Sequence, residues 1–237
     1  MSFKLLSASN TKIIKGEGKG YKTYILHLAP YTVAGRGNVC PKATAGCIAG
    51  CLNLSGHGGM IPRGETTNAV QRARIRKTQY FFDNRDAFML DLAADIGRAI
   101  RQAAKKDLIP VFRLNGTSDL SWEKYTVGDT GKTVFELFPD VQFYDYTAVL
   151  GRKITHIPNY HLTFSRKENN DADVKKALKM GLNVAAVYDK IPDGMYSADN
   201  DDLRFLDPVV GMMGLKVKGW RAKKDYSGFV IRLTEVA

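Results

Sequence analysis

The chain has 237 residues and a formal net charge of +11, with 44% hydrophobic, 10% aromatic and 25% charged residues. This is ordinary globular composition and excludes intrinsic disorder, collagen and a small disulfide scaffold. No apolar run approaches the ~18 residues of a membrane helix, and the start, MSFKLLSASNTKIIKG, lacks the apolar core of a secretion signal. A cytosolic protein with no membrane partner is therefore expected.

In chain order, Gly16 to Gly20 reads as a turn, because it has no Walker spacing and precedes a strand where phosphate loops follow one. Tyr21 to Leu28 is rich in strand formers, and Ala29-Pro30 closes it. Two helices are expected next, over 66–82 and 86–106. The second carries Phe88, Leu92, Ile96 and Ile100 on one face and takes Asn84 as its N-cap. Beyond Pro110 come short apolar runs at 111–114, 141–147, 160–164, 184–188 and 209–213, with a helix over 171–180 that stops at Gly181 and a last strand at 229–233. Strands alternating with helical stretches predict a parallel α/β sheet. About seven strands are fewer than a closed barrel needs, so the expected fold is an incomplete TIM-like (β/α) barrel, one domain over residues 1–237, with a cysteine loop after the first strand.

That loop, Cys40-Pro-Lys-Ala-Thr-Ala-Gly-Cys47-Ile-Ala-Gly-Cys51, contains all three cysteines. Three soft thiolates within twelve residues suit a metal centre, either an iron-sulfur cluster held by Cys40, Cys47 and Cys51 or a zinc ion with His57 as a fourth ligand. A [4Fe-4S] cluster with three protein thiolates leaves one iron open for a substrate or cofactor.

Charge is lopsided. Residues 1–82 hold 12 Lys and Arg against 2 Asp and Glu, and the remaining 155 residues hold 23 against 22. Such a basic segment is the footprint of a polyanion or phosphate site, or else of a solvated surface. Within it, Arg72, Arg74, Arg76 and Lys77 run into Tyr80, Phe81 and Phe82, the combination that holds single-stranded nucleic acid by charge and stacking. The competing reading is a core of aromatics with arginines snorkelling over it. A second basic stretch, Lys216 to Lys224, encloses Trp220 and could close the same groove.

Two resemblances sharpen the picture. Ser9-Asn10-Thr11-Lys12, the stretch from Tyr31 to Cys40, the string CPKATAGCIAGCLN, Arg76-Lys77-Thr78 and Asp83-Asn84-Arg85 resemble a tailed-phage protein family called gene product eighty-eight. This implies a phage-encoded protein in the host cytoplasm. The architecture, a three-cysteine loop after the first strand of an incomplete barrel, resembles the radical S-adenosylmethionine enzymes. Those enzymes usually show Cys-x3-Cys-x2-Cys with an aromatic before the last cysteine, where this chain has spacings of six and three and Gly50. The resemblance implies a [4Fe-4S] cluster on Cys40, Cys47 and Cys51, with S-adenosylmethionine in a barrel mouth lined by Asn115, Ser118, Asp145 and Ser165. Two functions are thus expected, an iron-sulfur enzyme acting on nucleic acid or a nucleotide, and a non-catalytic iron-sulfur protein that binds single-stranded DNA.

Overall fold

Along the first long strand, Tyr24, Leu26 and Leu28 alternate with Thr23, Ile25 and His27, so one face is apolar and the other mixed. The same alternation recurs from strand to strand and sets the layering of the whole molecule. In the computed structural model, which describes residues 4–8 and 11–233, eight strands form one sheet. In order across it lie β1 (Leu6–Ser7), β2 (Tyr21–Leu26), β3 (Ile109–Arg113), β4 (Gln142–Thr147), β5 (Tyr160–Ser165), β6 (Val184–Tyr188) and β7 (Met212–Lys216). A short β8 (Val230–Ile231) adds to β6. Every pairing is parallel except β1 with β2.

Parallel neighbours need long crossovers, and these supply the helices. They are α1 (Thr11–Glu17), α2 (Ala45–Ala49), α3 (Ala69–Asp83), α4 (Arg85–Ala104), α5 (Val134–Leu137), α6 (Asp171–Lys179) and α7 (Trp220–Lys223). Asn68 caps α3 by accepting from the Gln71 amide, and Asn84 caps α4 through Ala87, as its position predicts. Phe81 of α3 and Phe88, Leu92 and Ile96 of α4 pack with Phe112, Leu114 and Phe143 on one face of the sheet. On that same face, Val174 and Ala177 of α6 meet Phe164 and Val184. Burying such side chains stabilises the fold by about 1.5–3 kcal/mol each.

The opposite face has no helical layer of this kind. Residues 196–206 run across it, setting Leu203 and Phe205 against Val111 and Tyr144, and Tyr196 and Ala198 against Tyr146, Ala185 and Met213. This corrects the barrel expectation. The fold is mixed α/β with a mostly parallel sheet, but the sheet stays open, with β1 and β7 at the two ends of the strand order. A crossing segment covers the face that a barrel would turn inward.

Two local departures have simple causes. The strand expected over 209–213 begins only at Met212, because Val209 is exposed after Pro208 and Gly211 turns with φ +74°. Helix α1 was hidden by the weak helix formers around Gly16. Of the residues that carry the phage-family resemblance, Ser9 and Asn10 lie outside the described residues.

Candidate nucleic-acid interface

The long excursion between β2 and α3 brings the cysteine loop to the carboxyl edge of the parallel sheet, where such folds place their sites. Thr44 caps α2 by accepting from the Cys47 amide, and Cys51 does the same for the single turn 52–54 through Asn53. The segment after β5 holds the loop from below. Glu168 accepts from the Thr44 hydroxyl and the Gly46 amide, both at 2.7 Å, and Lys167 donates to the Lys42 carbonyl. The C-terminal segment lies against it. A Cβ on Gly46 would sit 2.1 Å from Ser227 Oγ and 2.5 Å from Phe229 Cβ, so the glycine permits that contact.

Two of the thiols are tied into this loop by main-chain contacts. Cys40 Sγ accepts from the Tyr31 amide at 3.3 Å and lies 3.8 Å from the Thr117 carbonyl, and Cys51 Sγ accepts from the Asn53 amide. Burial pushes the Cys40 thiol up to about 12 and the Cys51 thiol up to about 11, and the neighbouring cysteines add to both shifts. Among the described residues, no group of three His, Cys, Asp or Glu side chains is placed to hold a metal ion. The metal expectation is thereby overturned, for the iron-sulfur cluster and for zinc alike. Cys40, Cys47 and Cys51 form a tightly packed loop, and His57 sits exposed on the adjoining turn 56–59.

The four cations of α3 do not act as one patch. Arg72 is exposed and pairs with Glu65 at 2.8 Å. Arg74 turns inward, donates to Asn53 Oδ1 at 2.8 Å and is lowered from its ordinary range, chiefly by burial. Lys77 donates to the Leu5 carbonyl at 2.6 Å, and burial first, then Arg74 and Lys4, bring it down to about 8. Arg76 is exposed. The aromatics after them belong to the interior, since Phe81 is fully buried and Tyr80 donates to Asp91. Tyr80 and Phe82 are partly buried against the core, so neither stands out as an open stacking face.

Three of the expected cofactor contacts come together, in an internal network. Asn115 Oδ1 accepts from Ser118 Oγ, the Leu120 amide and Trp122 Nε1, while its own amide groups donate to Leu120 and Asp145. Asp145 also accepts from Tyr160 at 2.9 Å, and burial raises it to about 7 in spite of these donors. Ser165 ends β5, one strand further on. Asp119, beside Cys40, accepts from the Ala148 amide through Oδ2 and is raised by burial, with Oδ1 left without a partner.

The two most exposed aromatics among the described residues lie on the C-terminal stretch. Trp220 is 62% exposed and Tyr226 is 77% exposed. Arg221 and Lys224 lie 5.3 and 5.7 Å from the Trp220 ring centre, and Arg232 lies 4.7 Å from that of Tyr226. Lys216, Lys218 and Lys223 are exposed around them, with Lys218 paired to Asp199. This surface touches the cysteine loop, because α7 packs on α2 and Gly219 sits against Leu54 and Ser55. The turn 56–59 in turn contacts α3, the helix that carries Arg76. The alternation of lysines with Trp220 was visible in the sequence, whereas Tyr226 carried no signal until the fold turned it outward.

A family model described as Gene product 88 matches residues 4–233. No curated protein and no solved structure matches the chain, and nothing supports the radical S-adenosylmethionine resemblance. Among the described residues, no helix is long and apolar enough to cross a membrane.

Proposed function

The chain belongs to the gene product 88 family, and from that starting point we propose that it binds single-stranded nucleic acid in the cytoplasm of a phage-infected host. The observation that carries this reading is the exposed Trp220 ring with Arg221 and Lys224 beside it. The indole is open to water, and the cations of Arg221 and Lys224 over its ring, 5.3 and 5.7 Å from its centre, add the second of the two elements that unpaired strands need. The ring stacks on a base of any identity, and the cations follow the backbone charge. Arg221, Lys223, Lys224, Lys216 and Lys218 supply the positive field around it. Duplex DNA hides its base faces, so single strands suit this surface better.

The reading differs from the sequence expectation in where it places the contacts. Arg74 braces the loop through Asn53 and Lys77 is tied to the Leu5 carbonyl, while Arg72 and Arg76 are exposed cations of α3. Titration of a fluorescent oligothymidylate at low salt tests it, with anisotropy as the readout. Trp220→Ala should weaken binding by roughly tenfold or more, the worth of one stacked base. Unchanged affinity in that variant, or no binding by the wild type, would reject the interface.

A further inference from the structure

Strand β6 changes neighbours part of the way along its length. β5 pairs with it at Val184 and Ala185, and β8 takes over at Val187 and Tyr188. Where β5 leaves and β8 arrives, a cleft of about 310 Å³ opens at the carboxyl edge of the sheet, lined by Arg166, Tyr226, Gly228, Val230, Ile231 and Arg232. Its volume lies at the small end of the range for ligand sites. Its lining includes two guanidinium groups, one exposed phenol ring and no carboxylate.

Both arginines are held by main-chain carbonyls. Arg166 Nη1 donates to Gly228 and Phe229, and Arg232 donates through Nε and Nη2 to Asp225 and through Nη2 to Lys223. Carbonyl oxygens fix the orientation of a guanidinium without cancelling its charge, so each fork is positioned before any ligand arrives. Two acids lie close by: Asp171, 3.8 Å from Arg166 Nε with its carboxylate largely in water, and Asp225, whose carboxylate accepts from the Val230 amide and feels the Arg232 charge. The ring of Tyr226 lies under Arg232 at the rim.

We propose that this cleft seats a terminal phosphomonoester, the phosphate lying between Arg166 and Arg232 and the attached base resting on Tyr226. The proposal rests on the nucleic-acid reading and deepens it, since the cleft adjoins the Trp220 surface through residues 221–226. The N–H groups that the carbonyls leave over, Nη1 of Arg232 and Nη2 of Arg166, suit the oxygens of a dianionic end group, which carries more charge than the diester links along a strand. The site would thus make the protein a reader of strand ends.

The test compares oligothymidylates of equal length bearing a 5′-phosphate, a 3′-phosphate or only hydroxyl ends, with thymidine monophosphate and inorganic phosphate as free competitors. One phosphorylated form should bind roughly tenfold more tightly than the hydroxyl form, as expected for an added charge-assisted contact. Arg232→Gln should abolish that preference and leave hydroxyl-ended binding in place. Because Arg232 also braces the turn 223–225, Tyr226→Ala serves as a second variant, its exposed ring being free of such a role, and it should reduce the preference by itself. Equal affinity for all three oligonucleotides overturns the cleft proposal while leaving strand binding intact. Direct binding of thymidine monophosphate, read by calorimetry, with no binding of the hydroxyl-ended oligonucleotide supports the cleft and rejects the nucleic-acid interface.

Discussion

The guanidinium of Arg113, at the end of β3, meets the carboxylate of Asp202 at 3.3 Å, and both side chains are almost out of water. The two residues are joined across the sheet face, strand on one side and the crossing segment 196–206 on the other. Tyr144 donates to the same carboxylate at 3.2 Å, and Arg113 lies 4.8 Å from the Tyr146 ring. Burial pulls the Arg113 guanidinium down, but Asp202, Tyr146, Tyr144 and Asp145 together outweigh it and the group stays above its ordinary value, hence charged.

Breaking that pair should be costly. Asp202→Ala leaves a cation buried without its anion, and such changes lose about 3–5 kcal/mol. Chemical denaturation should show that loss, and Arg113→Met in the same chain should restore most of it, since the pair as a whole is worth much less than either orphan. If the double variant is as unstable as Asp202→Ala alone, the crossing segment is held by its apolar contacts and the ion pair is incidental.

Asp145 gives a pH signature. Its folded value of about 7 lies above the ordinary carboxylate value of 3.8. Between those values the folded chain holds a proton that the unfolded chain has released. Stability from this group is thus present at acid pH and declines as pH rises towards 7, by up to ~4 kcal/mol at ~1.4 kcal/mol per unit. The stability difference between wild type and Asp145→Asn isolates the effect from other titrating groups. It should move against the wild type across that window, and a difference that stays level with pH would mean that Asp145 is ionised at low pH like a surface acid.

Periodicity made the sheet legible, because β2 to β6 each show a run of apolar or aromatic residues bounded by turn signals, and Asn84 announced the start of α4. That the strands were too few to close a barrel was legible, but the covering of the sheet's second face was not. It depends on residues 196–206, a stretch of Tyr, Ser, Asp and Asn around Leu203 that looks like an ordinary polar loop. Only the fold reveals that its acids face arginines, Asp202 to Arg113 and Asp201 and Asp207 to Arg204. The cysteines misled for a related reason. Crowding of a rare residue is a signal about ligand type, and it says nothing of whether burial raises the Cys40 and Cys51 thiols in spite of the amide donors that favour their thiolates.

Those thiols should be slow. Neutral sulfur is a poor nucleophile, and Cys40 and Cys51 lie far above neutrality. An aromatic disulfide reagent at pH 8 should modify both of them only at the rate of unfolding, and addition of denaturant should release all three thiols at once. A chelator should leave the melting temperature unchanged. Prompt reaction of Cys40 or Cys51 in the folded protein would show that the loop opens locally and that its hydrogen bonds from Tyr31 and Asn53 are weak.

Salt dependence separates the charged part of the interface from the aromatic part. Each phosphate neutralised on a single strand contributes a slope of about −0.7 in log affinity against log salt. Lys223→Gln with Lys224→Gln removes two exposed cations that flank Trp220. The double variant should flatten the slope by roughly 1.4, whereas Trp220→Ala should lower affinity at every salt concentration and leave the slope nearly unchanged. The contrast arises because stacking releases no counterions. If instead Trp220→Ala flattens the slope as much as the lysine changes do, the indole serves to position Arg221 and Lys224, and the surface holds nucleic acid by charge alone.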